Sequence, residues 1–381
     1  MKRMLLVLVA LFAVSAMTPA AADELARLNA LIINDPRNIE LNLAYARAAE
    51  ARGDNGKALA AYERVAEMDP GNAEARAGVA RAGARLQPHT FQLFTEIGGG
   101  YESNPQNLAV GREGTPELFA RVLMKDERTL WDMRWRTTAL LTGNLYTSDG
   151  DLNYAYGGFA TGPVYAVMPN MTFHPSIGVG GSYFDHHFFY SEVFAAALFE
   201  GGFDLMNYIV RYRFGYRDYN DFFPQTQGAF ADVTAKFLFA GVILKDDLVV
   251  ISPWWRWSGI DAVGNINILV SPDDFRTGRY NEVGARIEYF KPVTGWITAG
   301  INFSALKRFY ARSTDNTVFP PVVTDRRDYI YSPGVALIFR NPYVTHQSSI
   351  RFDYRYERDN SNVQLGSYTN HIATLTFFNR Y

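Results

Sequence analysis

The segment YIVRYRFGYRDY at residues 208–219 places Tyr208, Val210, Tyr212, Phe214 and Tyr216 on alternate positions, with Arg211, Arg213 and Arg217 between them. In TLWDMRWRTTALLTGNLY, residues 129–146, Trp131, Met133, Trp135, Ala139, Leu141 and Leu145 share one face, and Asp132, Arg134, Arg136, Thr138, Thr142 and Asn144 the other. In SIRFDYRYER, residues 349–358, Ile350, Phe352, Tyr354 and Tyr356 alternate with Arg351, Asp353, Arg355 and Glu357. A period of two reads as β-strand. The stretches run to about ten residues or more, long enough to cross a bilayer at a tilt. Strands of soluble proteins average about five or six. An Arg facing acyl chains at mid-depth costs about 2–4 kcal/mol, so the rings face lipid and the guanidiniums face an enclosed lumen.

The pattern predicts a transmembrane β-barrel over residues 90–381, with about 14 antiparallel strands. Tight connections are expected at Lys125–Arg128, Pro169-Asn170, Asp204-Leu205, Lys245–Asp247, Lys291–Val293 and Asn341–Val344. They alternate with mostly longer ones at 103–116, 147–152, 218–227, 259–277, 310–326 and 358–367; Asp185–His187 is the short exception. Short turns on one rim and long loops on the other is the outer-membrane arrangement, the short side being periplasmic. An even strand count returns both barrel ends to that side. The chain closes on ATLTFFNRY, with Leu375 and Phe377 on one face and Tyr381 terminal. That ending resembles the signal read by the outer-membrane assembly machinery, a third partner beside the lipids and any client.

Ahead of the barrel the period changes. DPRNIE at 35–40 recurs as DPGNAE at 69–74, 34 residues on, which is the tetratricopeptide period. Residues 38–52 and 55–68 read as a helix pair broken at Gly53-Asp54. Ala58, Tyr62 and Pro70 occupy packing positions of that repeat, and Asn42 stands where it often carries Trp. Half-repeats on either side give a small all-α domain over 23–88, ended by Gln87-Pro88. Repeats need neighbours to stack on, so four helices require a brace from a partner or from the rest of the chain. The module reads equally as a spacer or as a dock.

Residues 1–22 read as a cleaved secretory signal. Lys2 and Arg3 are followed by the apolar run Met4–Met17 and by Ala20-Ala21-Ala22. The expected location is the outer membrane, with the helical domain in the periplasm. Net charge is −2 and there is no Cys. The first gives no electrostatic footprint for nucleic acid, and the second removes disulfides, thiolate metal sites and Cys nucleophiles.

No G-x-S-x-G occurs. Asp185-His186-His187 lacks spaced ligands on a rigid element; Asp149-Gly150-Asp151 and Asp315-Asn316 lack the register of a calcium loop. The chain reads as a non-enzyme with no cofactor and no metal. Candidate lumen-lining cations are Arg134, Arg136, Arg211, Arg213, Arg217, Arg256, Arg286, Arg351 and Arg355, with Lys236. Luminal anions are Asp132, Asp232, Glu282, Glu288, Asp353 and Glu357. They read either as cross-strand pairs that stiffen the wall or as a basic strip steering an anionic passenger, with Arg211, Arg213 and Arg217 the leading strip.

IGGGYESNPQN at 97–107 and YRYERDNSNVQLGSYTNH at 354–371, with the order of signal, helices and barrel, resemble the surface lipoprotein assembly modifier family (Slam). That resemblance implies a translocator, or translocation helper, that delivers a protein or lipoprotein client to the cell surface. It transfers no functional residues. Exopolysaccharide-export porins share the general style, so a passive or polymer-exporting porin stays open. So does a structural barrel that anchors an envelope complex.

Overall fold

The computed structural model describes residues 19–86, 89–109, 113–148, 150–168, 170–184, 186–219, 227–260, 279–310, 313–315, 322–340, 347–363 and 366–381. The signal segment up to residue 18, Gln87-Pro88, Asp149, Pro169, Asp185, Asn316, Asn341–Val344 and most of loop 259–277 lie outside the described residues. The chain divides into two compact units: residues up to His89 with Arg128–Arg134, and Thr90–Glu127 with Trp135–Tyr381.

The first unit holds helices α1 (Pro19–Asn34), α2 (Ile39–Ala51), α3 (Asn55–Met68) and α4 (Ala73–Leu86). The repeated motif explains their spacing. Its Asn caps a helix each time: Asn38 Oδ1 accepts from Leu41 N at 3.1 Å, and Asn72 Oδ1 from Ala75 N at 3.0 Å. Each cap contributes about 1 kcal/mol. Ala46, Ala49, Ala58, Tyr62, Val65, Ala75 and Ala82 form the core. Small residues let the Tyr62 ring enter: a Cβ on Gly78 would stand 2.5 Å from it. Pro70 sits exposed in the turn between α3 and α4.

Asn42 is buried and satisfied, donating to Pro36 O (3.0 Å) and Asn38 O (2.8 Å) and accepting from Arg64 Nη1 (2.8 Å). Glu50 is the polar hub. It accepts from Tyr62 Oη (2.8 Å), twice from Arg81 (3.0 and 3.0 Å) and from Arg85 (3.2 Å). The hydrogen bonds from Arg81 hold its carboxyl below the ordinary value of 4.5. Burial, and then Glu50, push the Tyr62 hydroxyl up to about 12. The segment 128–134 completes the unit, with Arg85 Nε 2.6 Å from Asp132 Oδ1 and Thr129 Oγ1 donating to Ala84 O at 2.5 Å.

The second unit is a closed antiparallel barrel. Its strands are β1 (Thr90–Glu102), β2 (Thr115–Leu130), β3 (Met133–Tyr146), β4 (Tyr154–Pro163) continued by β5 (Tyr165–Met168), β6 (Met171–Phe184), β7 (His187–Phe203), β8 (Met206–Tyr219), β9 (Gln227–Ala240), β10 (Leu248–Gly259), β11 (Arg279–Pro292) and β12 (Ile297–Tyr310). A small ribbon of β13 (Ser313–Asp315) and β14 (Val322–Thr324) follows, and then β15 (Arg327–Phe339), β16 (Ser348–Ser361) and β17 (Tyr368–Arg380). With β4 and β5 counted as one staggered strand, fourteen strands close the wall. β1 pairs with β17, Phe94 opposite Arg380, and the last residue joins in, Tyr381 N donating to Leu93 O at 2.8 Å.

The faces are inverted relative to a soluble protein. Outward positions are apolar and open: Ile177 is 70% exposed, Ile301 62% and Leu141 62%. Inward positions are charged and covered: Glu282 and Asp328 are 0% exposed, Glu192 2% and Arg308 3%. Leu375 and Phe377 face outward on β17 and Tyr381 is exposed.

Three of the expected tight turns differ: β9 and β10 are joined over 241–247 rather than Lys245–Asp247, β11 and β12 over 293–296 rather than Lys291–Val293, and the third moves furthest. The β2–β3 hairpin turns at Trp131-Asp132, not at Lys125–Arg128, and both turn residues have positive φ, 48° and 63°. This two-residue loop matches strand twist, yet carries no Gly or Asn to announce it. Trp131 and Asp132 are therefore turn residues, and Asp132 does not line the lumen.

Two outcomes follow. Ile301→Arg lowers the stability of the barrel folded into phosphatidylcholine vesicles by about 2–4 kcal/mol, read as the urea midpoint, whereas Ser304→Arg, on the inward face, changes it by under about 1 kcal/mol. Glu50→Gln removes the hub and destabilises α4 by about 1–2 kcal/mol, measured by hydrogen exchange of residues 73–86 in the full chain. Because the Glu50 carboxyl is held below its unfolded value, that stability is complete above about pH 4.5 and fades as pH falls through the lower folded value. The wild-type protection should fall toward the variant's in acid.

Candidate functional site

Alternation on fourteen strands directs a ring of ionisable side chains inward, and pairing then sorts them. Arg217 Nε reaches Glu192 at 2.8 Å, Arg213 reaches Asp232 at 2.7 Å and Glu192 at 3.1 Å, and Arg211 reaches Asp232 at 3.3 Å. Tyr156 Oη donates to Glu192 at 2.8 Å. Phe230 stacks under both guanidiniums, at 4.9 Å from Arg213 and 4.5 Å from Arg217. The arginines expected to lead a free basic strip are thus tied into the wall. Their carboxylates stand on the neighbouring strands β7 and β9, where cross-strand partners meet.

Two further networks do the same. Glu282 Oε2 accepts from Arg308 Nε and Nη2 (2.8 and 2.6 Å), and its Oε1 from Trp254 Nε1 (2.8 Å) and Arg256 (3.3 Å). Arg136 joins Glu127 and Glu200, each at 2.6 Å, and so links β2, β3 and β7 across the lumen. Arg134 stands two residues earlier on the same side of β3.

Four arginines, Arg256 of the Glu282 network among them, line a cavity of about 530 Å³ inside the barrel. Arg256, Arg286, Arg351 and Arg355 contribute from β10, β11 and β16, while Glu102, Glu117, Asn144 and Tyr146 contribute from β1, β2 and β3. Arg351 is held by Asp353 through two 2.7 Å bonds. The others are looser. Arg286 meets Glu288 at 3.1 Å and Arg355 meets Glu357 at 4.0 Å. The Nε atoms of Arg286 and Arg355 are buried without a protein acceptor. Each such donor left without a partner costs about 1–3 kcal/mol, which an oxyanion or water in the cavity would recover.

The acidic side is held by neutral donors. Asn370 Nδ2 gives to Glu102 at 3.0 Å and Asn144 Nδ2 to Glu117 at 3.1 Å. Among the described residues neither carboxylate has a salt bridge to a cation. The cavity therefore presents incompletely satisfied cations on one arc and acids without ionic partners on another. The lining is hydrophilic and carries both signs of charge, and within it Ser332 Oγ donates to Glu357 Oε2 at 3.2 Å. Among the described residues no group of three potential metal ligands occurs, and His186 occupies a turn with φ 60°.

Glu102, Glu117, Asn144, Tyr146 and Asn370 were not among the expected site residues. Period-two counting from Arg136 reaches Asn144 and Tyr146, and counting back from Thr374 reaches Asn370. Glu102 and Glu117 lie on β1 and β2, which carry no run of alternating Arg to mark their inward face.

No family model matches the chain, and no curated protein matches it. Among solved structures it is similar to the outer membrane channel DcaP of Acinetobacter baumannii, with 8% identity and a TM-score of 0.43 over 77% of this chain and 97% of that one. It is also similar to OccAB4 of Acinetobacter baumannii (5% identity, TM-score 0.41, 77% and 99% covered) and to the anion-selective porin from Comamonas acidovorans (7%, 0.39, 77% and 100%).

In a planar bilayer, Arg286→Gln with Arg355→Gln should lower the anion-to-cation permeability ratio by at least about twofold, and Glu102→Gln with Glu117→Gln should raise it by a similar factor. Reversal potentials under a salt gradient read both.

Proposed function

We propose that the chain is an outer-membrane transport barrel whose lumen conducts small charged, mainly anionic, hydrophilic solutes. The observation that carries this reading is the polarised cavity, where the orphaned guanidinium nitrogens of Arg286 and Arg355 accompany Arg256 and Arg351 around about 530 Å³ of open space. That volume suits a small organic anion and not a folded chain. The apolar outward belt supports the membrane setting, and the alternation of short and long connections supports an orientation with the short turns in the periplasm.

Delivery of a protein or lipoprotein client to the cell surface is the second reading. It is favoured by the capped, repeat-built helical unit, because stacked helix pairs are a common protein-docking form. In that reading the helices engage the client or an envelope partner, and the barrel provides the route or the anchorage.

Single-channel recording of the purified full chain separates the two. Steady open steps with anion preference, reduced in the Arg286→Gln/Arg355→Gln protein, are the expected result. A silent barrel whose deletion strips one protein from the cell exterior would replace the channel reading with the delivery reading. Stoichiometric recovery with an envelope complex, with neither conductance nor a lost surface protein, would replace both with an anchoring role.

A further inference from the structure

The lumen matches most of its cations with carboxylates; part of the outer wall does not. On β12, β15 and β16 the strand register turns Lys307, Arg327 and Arg358 away from the lumen: their neighbours Arg308, Asp328 and Asp359 are the buried, inward residues. All three lie near the rim that carries the longer connections. Phe309 stands opposite Arg327, Lys307 opposite Tyr329, and Tyr331 opposite Arg358. Neighbouring strands are about 4.8 Å apart, so β12 and β16 bracket a patch about 10 Å wide.

Aromatic rings floor this patch. Lys307 Nζ lies 4.6 Å from the Phe309 ring centre and 4.7 Å from that of Tyr329. Arg358 donates only to a neutral oxygen, Asn360 Oδ1, at 3.1 Å. Outward positions on β10, β11, β12, β15, β16 and β17 carry no Asp or Glu. Among the described residues none of the three cations has an ion pair. Below them the same strands present Phe303, Ile301, Val335 and Phe352. Cations above an apolar wall, set among Tyr and Phe rings, stand at the depth where chain ends meet headgroups.

We propose that Lys307, Arg327 and Arg358 form a docking site for the net-anionic, phosphate-bearing headgroup of a membrane lipid in the leaflet at the long-connection rim, in preference to a zwitterionic one. The proposal rests on the membrane reading above. The missing counter-charge comes from the lipid phosphate, which three donors on adjacent strands clasp by charge-assisted hydrogen bonds. Tyr329 and Tyr331 present their rings to the upper part of the acyl chains.

Native mass spectrometry of the full chain, released from detergent with equal amounts of phosphatidylglycerol and phosphatidylcholine, tests it. The wild type should retain phosphatidylglycerol at least about fivefold over phosphatidylcholine. Lys307→Gln/Arg327→Gln/Arg358→Gln should lose that preference, and Lys307→Arg/Arg327→Lys/Arg358→Lys should keep it. Should the glutamine protein misfold, each single glutamine variant should lose part of the preference. Equal retention of the two lipids by the wild type would overturn the proposal, as would undiminished preference in the glutamine variants. Displacement of phosphatidylglycerol by inorganic phosphate at matched concentration would overturn it too, in favour of a free-anion site. Insertion into phosphatidylcholine vesicles is measured alongside: a chain that inserts but shows no lipid preference defeats this inference alone, and a chain that does not insert defeats the membrane reading.

Discussion

A guanidinium cannot rest among acyl chains, and that cost of about 2–4 kcal/mol per residue is the constraint on which the barrel depends. It sets the register of each long strand, since a slip of one residue would turn a whole set of arginines outward. Once register is set, the lumen must absorb the charges. Arg217 meets Glu192, Arg308 meets Glu282 and Arg136 meets Glu127 and Glu200. Wall stiffness and a lining for solutes are thus two results of one requirement. They separate only where pairing is incomplete, around Arg286, Arg355, Glu102 and Glu117.

The same reasoning explains which parts were legible in the sequence. The strands of YIVRYRFGYRDY and SIRFDYRYER could be placed because alternation is a local signal with a large energetic consequence. The repeat could be placed because DPRNIE and DPGNAE recur at a fixed interval, and the structure gives the motif its physical content in the caps Asn38 and Asn72. The β2–β3 turn was not legible. Trp131 and Asp132 adopt positive φ without the residues that favour it, while the charged run from Lys125 to Arg128 imitated a turn.

The site was legible only by type. Alternation gave the inward direction of Arg211, Arg213, Arg217, Arg286 and Arg355 alike, but not which of them would be neutralised. That depends on the partner strand: Asp232 on β9 and Glu192 on β7 fall beside the arginines of β8. Arg355 on β16 has only Glu357 at 4.0 Å. Free and bound arginines are indistinguishable until register is known, because pairing is a property of two strands and periodicity of one.

Since the chain has no cysteine, the account's central claim can be read directly on adjacent residues of β16. Nitroxide labels placed at Phe352→Cys and Asp353→Cys in the vesicle-embedded protein should report opposite environments. The label at 352 should relax strongly with oxygen and weakly with a water-soluble nickel chelate, and the label at 353 the reverse. Equal access of the nickel chelate to both positions, or the opposite ranking, would contradict a wall with lipid on one face and an aqueous lumen on the other.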